Sequence, residues 1–132
     1  MATAEMTSHR VLVVDDEVFV RDSIKMMLKS EGYAVDLAES GKQALELLEN
    51  DRFDLIVVDY SMPEMRGDEL ATLIKQRVPD RPIIMITAYA EMLECSLTPV
   101  TGVEVILCKP FMAGVLRDAV ARFLPKSRPR DV

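Results

Sequence analysis

The sequence predicts a doubly wound α/β sandwich around a five-stranded parallel sheet, and three observations predict it. Four short runs are almost continuously Val, Ile and Leu: Val11-Leu12-Val13-Val14, Leu55-Ile56-Val57-Val58, Ile83-Ile84-Met85-Ile86 and Val105-Ile106-Leu107-Cys108. Runs of this length read as parallel strands buried on both faces. Strand and helical patterns alternate five times with short connections, which implies βαβ units and right-handed crossovers. Each run also ends in a polar residue: Asp15-Asp16, Asp59, Thr87 and Lys109 in turn. In an open parallel sheet all carboxyl ends face one rim, where ligands bind, so these endings are expected to meet.

After the first strand, Val20, Ile24, Met27 and Leu28 form one helical stripe, and Gly32 is placed as the left-handed residue that stops it. The segment Tyr33-Ala34-Val35-Asp36-Leu37-Ala38 alternates large apolar with small or polar residues, which suits a less buried strand at a sheet edge. Ser40-Gly41-Lys42-Gln43 has capping-box spacing before a helix with Ala44, Leu45 and Leu48 on its apolar face. Proline and glycine make Ser61–Gly67 a loop, and Leu70, Leu73 and Ile74 mark the next helix, which Val78-Pro79-Asp80-Arg81-Pro82 breaks. A short helix is expected over Ala90–Leu97, cut off by Pro99 and Gly102. Leu116, Ala119, Val120 and Phe123 define the last helix. Residues 1–9 and 125–132 read as disordered tails around one domain, 10–124.

The 132 residues make one domain's worth of chain, with 49% hydrophobic and 29% charged residues. No apolar stretch is long enough to span a bilayer, and Met1–Arg10 lacks a signal-peptide core, so a cytoplasmic location is expected. Cys95 and Cys108 are too far apart for a CxxC motif and are expected to be buried free thiols. A net charge of −6 argues against a nucleic-acid surface, so the partner is expected to be a protein. The nine methionines read as core fillers or loop residues.

The rim carries the chemistry. Asp15, Asp16 and Asp59 would bring three carboxylates together, and two like charges about 4 Å apart repel by about 4 kcal/mol at an effective dielectric near 20. Lys109 can offset one charge and a divalent ion the rest. All available ligands are oxygens, and the only histidine, His9, lies in the tail, so Mg²⁺ fits better than zinc or copper, with Mn²⁺ a possible substitute. A carboxylate can attack phosphorus to form an acyl phosphate, and phosphoryl transfer needs mainly alignment and charge neutralisation. Asp59 is the candidate nucleophile; Lys109, the Thr87 hydroxyl and the metal could neutralise the equatorial oxygens. Taken singly, each residue has an ordinary role as a helix cap, an Asx-turn or a solvated charge. Their joint placement at successive strand ends is what points to transient phosphorylation.

From about Arg10 to Leu124 the chain resembles a response-regulator receiver domain of two-component signal transduction, of the single-domain, chemotaxis-regulator kind. The resemblance rests on Val14-Asp15-Asp16-Glu17, Asp59-Tyr60-Ser61-Met62-Pro63-Glu64-Met65-Arg66-Gly67, Thr87-Ala88 and Lys109-Pro110-Phe111. It implies a flavodoxin-like (βα)5 fold with strand order 2-1-3-4-5. By the same resemblance Asp59 is the phosphoacceptor, and Asp15, Asp16, Asp59 and the Ser61 backbone carbonyl hold Mg²⁺. Thr87 is then the sensing hydroxyl, and Thr87, Ala88 and Lys109 contact the phosphoryl group. The Lys109-Pro110 peptide is expected to be cis.

One departure concerns output. Many family members carry Tyr or Phe three residues before the lysine, and this chain has Ile106. Aromatic coupling through that position is therefore not expected; instead, Thr87 would move toward phosphorylated Asp59, with repacking passed through the 90–97 helix, the fifth strand and the last helix. Tyr89 could shield the acyl phosphate from water, or be a plain surface tyrosine. The expected donors are a sensor histidine kinase or a histidine phosphotransfer protein, and the expected output is a changed protein-binding face on a monomer or weak phosphorylation-dependent dimer. Catalysis would extend only to the chain's own phosphorylation and slow dephosphorylation. Three alternatives stand beside this. One is a receiver fragment of a larger regulator or hybrid kinase, and another is a docking module that never uses its acidic pocket. The third is a haloacid-dehalogenase-like hydrolase, which Ser61 disfavours because that class carries a second Asp two residues after the nucleophile.

Overall fold

The protein is described from a computed structural model, which covers residues 9–88, 102–109 and 113–124. The 90–97 helix, Tyr89, Cys95, Pro110 with its peptide geometry, and the segments 1–8 and 125–132 lie outside the described residues.

The elements in chain order are β1 (Arg10–Val14), α1 (Val18–Ser30), β2 (Ala34–Ala38), α2 (Gly41–Asn50), β3 (Leu55–Asp59), α3 (Gly67–Arg77), β4 (Ile83–Ala88), β5 (Val105–Lys109) and α4 (Ala113–Phe123). All five strands are parallel, in the order β2-β1-β3-β4-β5. The chain leaves β1 toward β2 and then returns to build outward from its other side. A crevice therefore opens between the carboxyl ends of β1 and β3, where the order reverses.

Alternation along the strands divides the core in two. Val11, Val13, Leu55 and Val57 face Ile24, Leu28, Leu116 and Val120 of α1 and α4. Leu12, Val14, Ile56 and Val58 face Ala44, Leu70, Ala71 and Ile74 of α2 and α3. Every residue of β3 is buried, as are Val11–Val14 in β1 and Ile83–Thr87 in β4, so the apolar runs of the three inner strands are buried on both faces as their composition predicts. The fifth run differs. At the sheet edge, all of β5 is half-buried, and Cys108 with it, which corrects the expectation of a fully buried strand and thiol. A Val/Ile/Leu run reports hydrophobicity, not position in the sheet. Strand β2 is half-buried at the other edge, as its alternation suggests.

Local signals act close to where they were read. Gly32 has φ +96° and stops α1, while Glu31 and Gly32 donate to Leu28 and Lys29 carbonyls. Ser40 Oγ accepts from Gln43 N at 3.1 Å, and Gln43 Oε1 accepts from Glu39 N at 2.7 Å, so the reciprocal cap reaches one residue further back than the usual box. His9 is tied to the sheet, its carbonyl accepting from Ala34 N at 2.9 Å. Buried Tyr33 donates its hydroxyl to the Leu124 carbonyl at 2.6 Å, fastening the end of α4 to the start of β2.

Candidate functional site

The register sets the site. Val14 pairs with Val58, so one step further Asp15 and Asp59 leave adjacent strands side by side. Asp59 itself pairs with Ile86, and Ala88 with Lys109, which puts Thr87 and the lysine at the same rim. Asp15, Asp16 and Asp59 each offer a carboxylate oxygen within 4.8 Å of one another, so the three acids do meet. Asp15 and Asp59 are only 1% and 3% exposed, whereas Asp16 faces solvent.

Lys109 Nζ stands 3.1 Å from Asp59 Oδ1, 3.8 Å from Glu17 Oε1 and 4.0 Å from Asp15 Oδ2. Among the described residues, the buried Asp15 Oδ2 and Asp59 Oδ1 have no well-aligned hydrogen-bond donor, so Lys109 meets both chiefly as a charge. Burial pushes the Asp59 carboxyl up to about 6, helped by the charge of Asp15 and opposed by Lys109. Asp15 is also raised, first by burial, against the Glu17 N–H and Lys109, which lower it. Burial alone would lower the Lys109 ammonium, but Asp59 and then Asp15 reverse that and raise it. Two buried carboxylates held above their ordinary range, each with an oxygen that lacks a well-aligned donor among the described residues, are a pocket short of positive charge. A hard divalent cation supplies that charge through oxygen ligands, so the residues present fit Mg²⁺.

Backbone contacts hold the rim in place. Asp15 N donates to Ala38 O at 3.1 Å, and Asp15 Oδ1 accepts from Glu17 N at 2.8 Å. Arg21 donates to the Asp15 carbonyl at 2.7 Å from the first turns of α1. Past Asp59, Tyr60 N donates to Ile86 O and Gly67 N to Tyr60 O, each at 2.8 Å, and Ser61 follows exposed on the loop two residues after the aspartate. Thr87 is fully buried with its hydroxyl donating to the Ala88 carbonyl at 3.3 Å; Ala88 is exposed at the strand end. Ile106 pairs with Met85 and packs, half-buried, against the α2/α3 side of the core.

Sequence reasoning missed two residues. Glu17 stood in a quoted motif, but nothing in its spacing told that Lys109 would reach it. Gly67 read only as loop punctuation; here a Cβ would overlap Asp59 O and stand 2.7 Å from Tyr60 Cα. A glycine opening a helix, where Ser, Thr, Asp or Asn usually precede, was the available signal.

A doubly wound parallel sheet with an acidic, cation-seeking pocket at its topological switch point defines the class of protein. The family model for the response regulator receiver domain matches residues 11–121, and the chain belongs to that family. It is 35% identical over 122 residues to response regulator MprA of Mycolicibacterium vanbaalenii, covering 92% of this chain and 53% of that protein. The match to MprA of Mycobacterium tuberculosis is 35% over 124 residues, 94% and 54% respectively, so the chain spans about half the length of these relatives. Among solved structures, chemotaxis response regulator CheY4 of Vibrio cholerae superposes with a TM-score of 0.81 at 31% identity, covering 89% of this chain and all of that one. TrrA of Thermotoga maritima, solved in complex with Mg²⁺-BeF, superposes with a TM-score of 0.80 at 33% identity, covering 88% and 99%. No helix among the described residues is long and apolar enough to cross a membrane.

Proposed function

We propose that Asp59 is the phosphoacceptor of this receiver domain, taking a phosphoryl group from the phosphohistidine of a sensor histidine kinase or phosphotransfer protein. The observation that carries the reading is the buried Asp59 Oδ1, 3.1 Å from Lys109 and, among the described residues, without a well-aligned donor. An Asp59 carboxylate oxygen attacks phosphorus, the P–N bond to the donor imidazole breaks, and the imidazole leaves with its electron pair. Lys109 turns its ammonium from the carboxylate to the incoming phosphoryl oxygens, and the Thr87 hydroxyl and the Ala88 backbone meet the others. Asp15, Asp16, Asp59 and the Ser61 carbonyl would hold Mg²⁺ or Mn²⁺, which supplies charge neutralisation to the same oxygens. Water later cleaves the acyl phosphate, and Tyr89 would slow that step by shielding it. Movement of Thr87 toward the phosphoryl group, with Ile106 in place of an aromatic ring, would repack the face built on β5 and α4. The receiver domain would span 10–124, alone or joined to further domains, and act in the cytoplasm.

The donor's approach is supported by an apolar groove of about 420 Å³ lined by Phe19, Val20, Ile24, Met27, Lys109 and Ala113, between α1 and α4. Phe19 is 87% exposed there, so a helix carrying the phosphohistidine could seat on it with its phosphorus toward Lys109.

Incubation with acetyl phosphate and Mg²⁺, followed by intact-mass measurement, tests the assignment. One added phosphoryl group is expected, lost with a chelator and in Asp59→Asn. Equal labelling of Asp59→Asn would overturn it.

A further inference from the structure

Lys109 stands where a divalent ion would have to act. Its Nζ lies 3.1 Å from Asp59 Oδ1 and 4.0 Å from Asp15 Oδ2, the same two buried oxygens that lack a well-aligned donor among the described residues. Ammonium and metal satisfy the same pair, so each weakens the other's hold. A lysine displaced from both aspartates and left without another partner would be a half-buried, uncompensated charge, and that cost would fall on metal binding.

The structure holds a replacement partner. Among the described residues, Asp15, Glu17 and Asp59 are the acidic groups within 4.0 Å of Lys109 Nζ, and the first and last belong to the contested pair. Glu17 is left over. Its side chain is 62% exposed, so its carboxylate is free to follow the ammonium outward. Its backbone is fixed: Glu17 N donates to Asp15 Oδ1 at 2.8 Å, and as the N-cap of α1 its carbonyl accepts from Arg21 N at 3.0 Å. An exposed ion pair of this kind adds little to stability. Its importance is in exchange, because it needs only to compensate an ammonium that has been pushed out.

We propose that Glu17 is a positioning residue that takes over Lys109 when a divalent cation enters the acidic pocket, so that a carboxylate outside the metal's ligand set governs metal affinity. The inference rests on the reading of Asp15, Asp16 and Asp59 as the metal site. It acts through the lysine, and that distinguishes it from a general effect of one more negative charge.

The test is a double-mutant cycle on the whole chain, with Mg²⁺ dissociation constants measured by calorimetry for the unaltered protein, Glu17→Gln, Lys109→Met and the double variant. Glu17→Gln is expected to weaken Mg²⁺ about three- to fivefold, and Lys109→Met to tighten it. In the Lys109→Met background the Glu17→Gln effect should shrink to about twofold or less, the remainder being its through-space field. An equal effect in both backgrounds, or none in either, would overturn the proposal. Absence of Mg²⁺ binding by the unaltered protein would instead overturn the metal-site reading itself, and this inference with it. Urea midpoints of the four proteins in metal-free buffer report any damage to folding separately from the cycle.

Discussion

Gly67 packs directly against the backbone of Asp59: a side-chain carbon at position 67 would overlap the Asp59 carbonyl oxygen and stand 2.7 Å from Tyr60 Cα. The glycine also donates its N–H to the Tyr60 carbonyl at 2.8 Å, so the start of α3 is clamped onto the strand end that carries the candidate phosphoacceptor.

Substituting Gly67→Ala should therefore harm the site before it harms the helix. The loop after β3 would have to move, at a cost of about 1–3 kcal/mol for overpacking. A lower urea midpoint together with weaker Mg²⁺ binding is expected. A midpoint drop with unchanged Mg²⁺ affinity would show that the clamp does not position Asp59.

Because burial outweighs the Lys109 ion pair at Asp59, its raised carboxyl sets a pH dependence opposite in sign to that of an aspartate whose ion pair lowers it. With a folded value of about 6 against an ordinary 3.8, the folded chain holds more protons than the unfolded chain between those pH values. Stability of the metal-free protein should thus fall as pH rises through about 4 to 6 and level off above, by at most about 3 kcal/mol from this group. Asp15, raised in the same direction, adds to the trend. Asp59→Asn should flatten the profile and stabilise the metal-free protein at pH 7. Added Mg²⁺ should stabilise most above pH 6 and little below pH 4, where protons compete for the ligands. Denaturation midpoints across pH, with and without metal, check all three.

Removing one buried hydroxyl separates fold from site. Tyr33→Phe deletes the 2.6 Å bond to the Leu124 carbonyl and leaves that acceptor unsatisfied, which should cost about 1–3 kcal/mol. Mg²⁺ affinity is expected to stay the same, since the bond lies at the opposite end of the sheet from the acids. Midpoint and calorimetric titration measured together would reveal any coupling.

Glu64 sits at φ +69° in the loop after Asp59, with Met65 N donating to the Pro63 carbonyl at 2.7 Å across it. Such a tight turn strains any residue with a Cβ. Glu64→Gly should stabilise the protein by about 0.5–1 kcal/mol, the relief exceeding the added chain entropy of glycine. A lowered midpoint would mean that the Glu64 side chain matters more than the backbone does.

The inner sheet was readable because burial on both faces leaves one solution for composition, and β1, β3 and β4 are written almost wholly in Val, Ile, Leu and Met. Edge position is a relation between strands, so Val105–Cys108 looked like an inner strand and proved half-buried. The same distinction runs through the site. Asp15, Asp59, Thr87 and Lys109 were legible because each closes a strand, and parallel strands share a rim. Glu17 and Gly67 depend on how far a lysine reaches and how closely a helix approaches a strand, neither of which is periodic. Strand order was implied by resemblance alone; the apolar runs are too alike to rank one beside another.

The half-buried state of β5 makes the two sides of the pocket unequal. Asp15 and Asp59 hang from the buried middle of the sheet, whereas their cationic counterpart Lys109 ends a half-buried edge strand. If Asp59 takes a phosphoryl group as proposed, the half-buried strand that carries Lys109 has more open space beside it than the enclosed β1 and β3, so displacement is expected toward the β5 border.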